Sequence, residues 1–358
     1  MKLLLVGPVP PPNGGMAMQT AQLQQLLSAE PGYKVSLLAV NAPYQPAWLG
    51  RVPMLRAFGR LIPYFWRVHQ QLKTHDIVHL MANSGWAWHL FASPVLLLAR
   101  WHNRPVVLNY RGGSAEQFLQ RQQRWVLPFM KMAAVIVTPS NYLKRVFSNY
   151  QLSAQVIANI INTSMFVPSE RPLNPDDLHL VVTRNLEPLY DIATAIRCFS
   201  LLLQQYPNSR LSIAGSGPCL AELKTLVSQS GLTDKVDFVG RLDRTQMVAL
   251  YQSADIMLNP STVDNMPNSI LEALACAVPV VSTAVGGIPD MVQHNKQALL
   301  VPPGEPKLMA TACQQLIEQP ELTASIKKQG LALVNSMQPA MVLPLWLQLY
   351  RELTPNDC

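Results

Sequence analysis

The sequence predicts an α/β protein built as two successive halves, each a parallel β-sheet covered by helices. Three observations predict it. Short apolar runs without apolar–polar alternation recur along the chain, as expected for strands buried on both faces of a parallel sheet. Stretches of helical periodicity separate these runs. The rhythm breaks once, over residues 163–178, where Pro168, Pro172, Pro175 and the pair Asp176–Asp177 read as a linker.

In the first half the predicted strands are Leu3–Val6, Tyr33–Val40, Ile77–Met81, Val106–Tyr110 and Val135–Thr138. Met18–Ala29 and Met54–Thr74 carry helical patterns between them. After the linker the strands resume at Leu178–Thr183, Arg210–Ala214, Val236–Phe238, Ile256–Leu258 and Val280–Ser282. The last helical stretch runs from about Pro339 to Leu353, and Pro344 inside it predicts a regular helix that starts only there. That stretch either caps the second half or crosses back onto the first. The expected domains are therefore 1–165, joined by a C-terminal helix at about 340–358, and 166–339. No short-period repeat is present, which excludes a solenoid.

A chain of 358 residues is long enough for two cores. With 49% hydrophobic and 14% charged residues it is globular rather than disordered. No unbroken apolar run reaches the ~18 residues that span a bilayer. The longest, near Trp86 to Ala99, is interrupted by His89 and Pro94. Met1–Gly7 is too short for a signal peptide and reads as a first buried strand. The five cysteines (Cys198, Cys219, Cys276, Cys313, Cys358) lack metal-site spacing and read as free thiols in a reducing, cytoplasmic compartment. Residues 1–165 hold 15 basic and 3 acidic side chains, against 13 and 18 in residues 166–358. A basic first half points to an anionic partner there, beside the plainer reading of a solvated basic surface. No nucleic-acid-binding motif accompanies the charge, so nucleic acid is not expected as a partner.

The chemistry-bearing segments concentrate between Leu211 and Gly304. Leu211–Ala214 runs into the turn Gly215-Ser216-Gly217-Pro218, with a helix expected from Leu220. Such a turn brings backbone close to a ligand and aims helix N–H groups at an anion. Next, the strand end Asn259-Pro260-Ser261 leads through the polar loop Asp264-Asn265-Met266-Pro267-Asn268-Ser269 into the helical run Ile270–Cys276, which contains Glu272. Two readings fit Glu272. As a carboxylate one turn into the helix it can accept two ribose hydroxyls; with Ser269 it also has capping-box spacing, which needs no ligand. A buried strand, Pro279–Ser282, and a second glycine loop, Gly286-Gly287-Ile288-Pro289, follow.

Taken in order, these segments resemble the nucleotide-binding domain of the retaining family-four glycosyltransferases. The matching motifs are the Gly-x-Gly-Pro turn at Gly215–Pro218, Phe238-Val239-Gly240, Ala254-Asp255, Pro260-Ser261, and Asp264 eight positions before Glu272. Pro279–Val281 and Gly286–Pro289 complete the series. In the first half, Pro10–Met16 with Gly14 and Gly15 resembles the family's Gly-Gly loop, and Val156-Ile157-Ala158-Asn159 its Val-Ile-Pro-Asn segment.

The resemblance implies a GT-B fold, two Rossmann-like domains facing each other across a cleft. It implies a metal-independent, retaining transfer of a sugar from a nucleotide-diphosphate donor, with no cofactor beyond that donor. The donor-binding residues it implies are Gly14, Gly15, Arg184, Gly215, Gly217, Asn265, Met266, Pro267, Asn268, Ser269 and Glu272. The catalytic group would comprise Asp264, Arg111 and Arg184. Two departures stand out. Tyr190 falls where the family has a phosphate-binding Lys, with Arg184 one position from the family's Arg. Arg111 stands where the family often has a His near the sugar.

The acceptor implied is a glycan or a polyprenyl-diphosphate-linked sugar of polysaccharide or cell-envelope assembly. Residues 47–73 interleave Arg51, Arg56, Arg60 and Arg67 with Trp48, Phe58, Tyr64, Phe65 and Trp66. Two readings fit: a peripheral contact with the anionic inner face of a membrane, or a core helix with snorkelling arginines. A sugar-nucleotide epimerase, a phosphorylase-like enzyme without an evident cofactor lysine, and a non-catalytic sugar-nucleotide-binding homologue are the alternatives on the same architecture.

Overall fold

The computed structural model describes residues 1–11, 14–41, 53–169 and 172–354, with the side chains of 53–58 outside that description. Trp48, Arg51 and Cys358 therefore lie outside it, as do the side chains of Arg56 and Phe58. In chain order the elements are β1 (Lys2–Gly7), α1 (Gly15–Ala29), β2 (Lys34–Ala39), α2 (Pro53–Leu72), β3 (Ile77–Ala82), α3 (Ser93–Trp101), β4 (Val106–Tyr110), α4 (Ala115–Met130), β5 (Val135–Thr138), α5 (Asn141–Ser148) and β6 (Ala154–Val156). Then come β7 (His179–Thr183), α6 (Ile192–Leu202), β8 (Arg210–Ala214), α7 (Leu220–Gln229), β9 (Val236–Gly240), α8 (Arg244–Ser253), β10 (Ile256–Asn259) and α9 (Asn268–Ala275). β11 (Val280–Thr283), α10 (Ile288–Met291), β12 (Leu299–Val301), α11 (Pro306–Glu318), α12 (Pro320–Asn335) and α13 (Pro339–Leu353) complete the chain.

The chain divides into two compact units: Met1–Ile160 with Pro339–Cys358, and Ile161–Gln338. Each holds one six-stranded sheet, in the order β2-β1-β3-β4-β5-β6 and β12-β11-β10-β7-β8-β9. Every strand pair is parallel. The strands Leu3–Val6, Val78, Val107 and Leu180–Val182 are fully buried, which is why they read as unbroken apolar runs. β6 and β12 escape a sequence reading because three residues are too few to show a period.

In the first unit the strand order sets the sides. From β1 the chain steps one way to β2, then crosses back to β3, β4 and β5. Right-handed crossovers therefore put α1 on one face and α2 to α5 on the other. The cores show this: Leu4, Val6, Leu80 and Leu108 pack with Val68 of α2, Leu96 of α3, Leu119 of α4 and Leu143 of α5. Leu3, Leu5, Val107 and Val137 face Leu23 and Leu27 of α1 together with Trp346, Leu347 and Tyr350 of α13.

The helix α13 starts at Pro339 and contains Pro344, rather than beginning there. Burial of Val342 and Leu343 ahead of the proline rewards the extra turn. Together α12 and α13 contain an 18-residue window with a mean hydropathy of 1.2, the one such window among the described residues. An averaged window reveals what a search for unbroken apolar runs does not. The turn at 336–338 divides it, and Trp346 and Tyr350 are buried in the first unit.

Candidate active site

In a doubly wound sheet, ligands bind at the carboxyl ends of the strands where the strand order reverses. In the second unit that reversal lies between β7 and β10. Arg184 leaves the end of β7, and the Asp264–Ser269 loop leaves the end of β10. The structure joins them. Arg184 Nη2 pairs with Asp264 Oδ2, and Nη1 donates to Ser269 Oγ at 3.3 Å. The guanidinium lies over the Tyr190 ring, 4.1 Å from its centroid. Among the described residues, Arg184 Nε is buried without a partner. A buried donor left unmatched is costly unless something else binds it.

Asp264 is fully engaged. Its Oδ2 also accepts from Ser261 Oγ (3.3 Å) and its Oδ1 from the Asn265 amide (2.9 Å). Asn265, Pro267 and Ser269 are buried, with Met266 and Asn268 partly so. Tyr190 sits in a short 3-10 turn, Pro188–Tyr190, tied to this region by the Thr262 amide donating to the Leu189 carbonyl (2.8 Å). The tyrosine supplies no charge: burial pushes its hydroxyl up, so it stays neutral and acts as a platform for Arg184.

The glycine loops have packing reasons of their own. A Cβ on Gly215 would lie 2.1 Å from the Arg184 carbonyl oxygen, and one on Gly217 would lie 2.2 Å from that of Leu186. These two glycines seat the strand exit that carries Arg184. A Cβ on Gly286 would fall 1.9 Å from the Asp264 carbonyl oxygen, at φ +54. The Gly287 amide donates to that same oxygen at 3.2 Å. The second glycine loop thus supports the Asp264 loop from behind.

The capping-box reading of Glu272 fails. The helix α9 begins at Asn268 with Pro267 as its N-cap, so Ser269 is already the second helical residue. Its hydroxyl serves Arg184 instead. Glu272 lies beside Tyr251, whose hydroxyl is 2.7 Å from Thr183 Oγ1 and 3.2 Å from the Ser269 carbonyl oxygen. Burial pushes the Glu272 carboxyl up to about 7, against the opposing pull of Arg244, a hydrogen bond from Tyr251, and Arg184. A carboxylate held this way favours a ligand that brings hydrogen-bond donors to it.

Sequence reasoning missed two cations. Arg244 opens α8 and acts on Glu272 electrostatically. Arg241 donates through Nε to Ser216 Oγ of the Gly215–Gly217 turn, at 2.5 Å. Their signal was the pair of arginines closely following Gly240, at the carboxyl end of β9.

The first unit carries the remaining residues at its own carboxyl ends. Gly14 is the N-cap of α1, without a side-chain cap, and Gly15 is the first helical residue. Arg111 follows β4. It donates to the carboxamide oxygen of Asn159 and, at 3.4 Å, to that of Asn109. Both are neutral, so the cation is buried against amides, and burial lowers its pKa to about 10. Behind it, Asn109 Nδ2 donates to His79 Nε2 (3.0 Å), and His79 Nδ1 lies 2.6 Å from the Tyr350 hydroxyl of α13. Burial and the Arg111 charge push His79 down to about 3, so it stays neutral. The structure thus gathers Arg184, Asp264 to Ser269, Glu272, Gly215 and Gly217 around one switch point in the second unit, and Arg111, Gly14 and Gly15 at strand ends of the first.

Two family models divide most of the chain between them. "Glycosyltransferase Family 4" matches residues 13–165, and "Glycosyl transferases group 1" matches residues 167–332. The exopolysaccharide phosphotransferase of Streptomyces coelicolor is 29% identical over 176 residues, covering 49% of this chain and 18% of that protein. A colanic acid biosynthesis glycosyltransferase, WcaL of Escherichia coli K12, is 30% identical over 169 residues, covering 45% of this chain and 41% of that protein. The alignments span half or less of these curated relatives. Among solved structures, Anabaena HepE in complex with UDP and glucose superposes with a TM-score of 0.76 at 20% identity, over 99% of this chain and 100% of that one. That likeness shows the GT-B class of fold, with two parallel α/β sheets. By its two halves and its fold, this chain belongs to the family-four, group 1 glycosyltransferases.

Proposed function

We propose that this protein is a retaining, metal-independent glycosyltransferase. It takes a sugar from a nucleotide-diphosphate donor to a glycan or polyprenyl-diphosphate-linked acceptor in polysaccharide or cell-envelope glycan assembly. The observation that carries the reading is Arg184. It is largely buried at the switch point, fixed by Asp264, Ser269 and Tyr190, with its Nε unmatched among the described residues. That is the form of a prepared site for a phosphate oxygen.

On this reading the donor diphosphate meets Arg184 and the 265–269 loop at the start of α9, where the N–H groups of the first helical turn favour negative charge. Glu272 accepts the ribose hydroxyls. Asp264 holds Arg184 beside the donor sugar rather than attacking it, because both of its oxygens are already engaged. Arg111 takes a second anionic group, its present partners being neutral. HepE was solved with UDP and glucose, and the WcaL name concerns colanic acid, which support a nucleotide-sugar donor and a polysaccharide setting. A lipid-linked acceptor fits a cytoplasmic protein held peripherally on the inner membrane face through residues 47–73. In the described part of that segment, Ile62, Trp66 and Arg67 are exposed.

Calorimetric titration with UDP, GDP and ADP, on the wild type and Glu272→Ala, tests this. Selective binding of one nucleotide, weakened at least about 30-fold by the substitution, is expected. Equal binding by the mutant, or none by the wild type, would reject the donor site.

A further inference from the structure

Of the six described tryptophans, Trp88 and Trp346 are buried and four are exposed, all four in the first unit. Trp66 lies on α2, Trp101 on α3 and Trp125 on α4, at 63%, 70% and 74% exposure. These helices cover the same face of the sheet, since their inner residues Val68, Leu96 and Val126 share one core. Their outer faces therefore form one continuous surface.

On that surface the side chains are neighbours. Ile62 and Trp66 lie four residues apart, as do Leu97 and Trp101, so each pair stacks on one helical face. The Trp101 ring is 5.6 Å from His69, one turn beyond Trp66. Trp125 is one turn past Gln122, whose carboxamide oxygen lies 2.5 Å from His89 Nε2 in the segment leading into α3. Arg67, Arg100, Arg121 and Arg124 are exposed among them. Residues 59–131 contain nine Lys or Arg and two acids. One of those acids, Asp76, accepts from the Lys2 amide at the amino end of β1; the other, Glu116 in the first turn of α4, accepts from the Tyr142 hydroxyl at 3.4 Å.

We infer that the outer face of α2, α3 and α4 together is a docking surface for an anionic phospholipid leaflet. The inference rests on the proposed peripheral membrane contact and extends it from one segment to three helices. Indole rings settle at the headgroup level, apolar ring down and N–H in the polar layer. Arginines of one sign, set between them, meet lipid phosphates. Exposed indoles on a helical layer whose charge is mainly positive suit the headgroup level of an anionic leaflet.

Flotation with vesicles of phosphatidylcholine, alone or with roughly one third phosphatidylglycerol, tests this. The wild type is expected to bind only the anionic vesicles, at least tenfold more weakly in about 0.5 M salt, where charges are screened. The double variant Trp101→Ser/Trp125→Ser, which leaves α2 intact, is expected to lose at least tenfold in affinity while keeping its circular dichroism and its nucleotide binding. If the wild type floats with neither vesicle, the whole membrane reading falls. If it binds, and only Trp66→Ser weakens it while the double variant binds normally, contact is confined to α2 and the three-helix surface is rejected. Equal binding to neutral and anionic vesicles would also reject it.

Discussion

At the scale of single residues, the proposed ribose contact of Glu272 would tie nucleotide binding to pH. Its carboxyl titrates near 7 when unliganded, and only the ionised form accepts two hydroxyls. Donor binding should therefore strengthen as pH rises to about 7 and weaken about tenfold per unit below it. A nucleotide-diphosphate sugar is the right probe, because its phosphates do not titrate there. Calorimetry in buffers of different ionisation enthalpy should show about one proton released at pH 6 and almost none at pH 8.5. Pure hydrogen-ion independence would remove Glu272 from the site. The same shift has a stability sign. A carboxyl raised in the folded state holds its proton longer than in the unfolded chain, so folding loses stability as pH rises from about 4.5 to 7. Glu272→Gln should gain about 3 kcal/mol over the wild type above pH 7 and nothing near pH 4.

Much of this site was legible as spacing. Asp264, Ser269 and Glu272 stand close in the chain, and a strand-to-helix loop must bring them together. The partnership of Arg184 with Asp264 bridges 80 residues. It depends on β7 lying beside β10, which no local pattern encodes. For the same reason the stacking of Arg184 on Tyr190 was invisible. Sequence showed only that a lysine was missing, whereas the structure shows what the tyrosine supports.

At the scale of elements, the glycine loops are the site's foundations. Gly286 has a left-handed backbone and no room for a methyl group against the Asp264 carbonyl. Gly286→Ala should cost about 2–4 kcal/mol, combining the left-handed strain with displacement of the Asp264 loop. Urea unfolding measures the first effect, and a parallel loss of nucleotide affinity reports the second. A change within about 0.5 kcal/mol would mean the loop yields without harm. The strands were legible because parallel sheets bury both faces. The shortest ones were not, and the start of α13 was misjudged because Pro344 outweighed the burial of residues ahead of it.

At the scale of the molecule, each unit owns a sheet and a core. The second unit, Ile161–Gln338, is continuous in sequence and contains Arg184, Asp264 and Glu272. Expressed alone, it should fold cooperatively and retain selective nucleotide binding, with affinity within about 30-fold of the whole chain. An unfolded fragment, by circular dichroism, would show that its core leans on the rest of the protein. The two sheets were legible as two successive series of unbroken apolar runs; the units divide at Ile160–Ile161, just ahead of the proline-rich stretch 163–178.

The first unit is opened by β1 and closed only by α13, with the whole second unit threaded between. On a translating ribosome this has a cost in time. Leu3, Leu5, Val107 and Val137 emerge well before the Trp346 and Tyr350 that pack against them. At about 5–20 residues per second, the roughly 180 intervening residues leave that apolar face open for on the order of ten seconds or more. The nascent chain should therefore leave this apolar face of its first sheet without α13 until the second unit has been made.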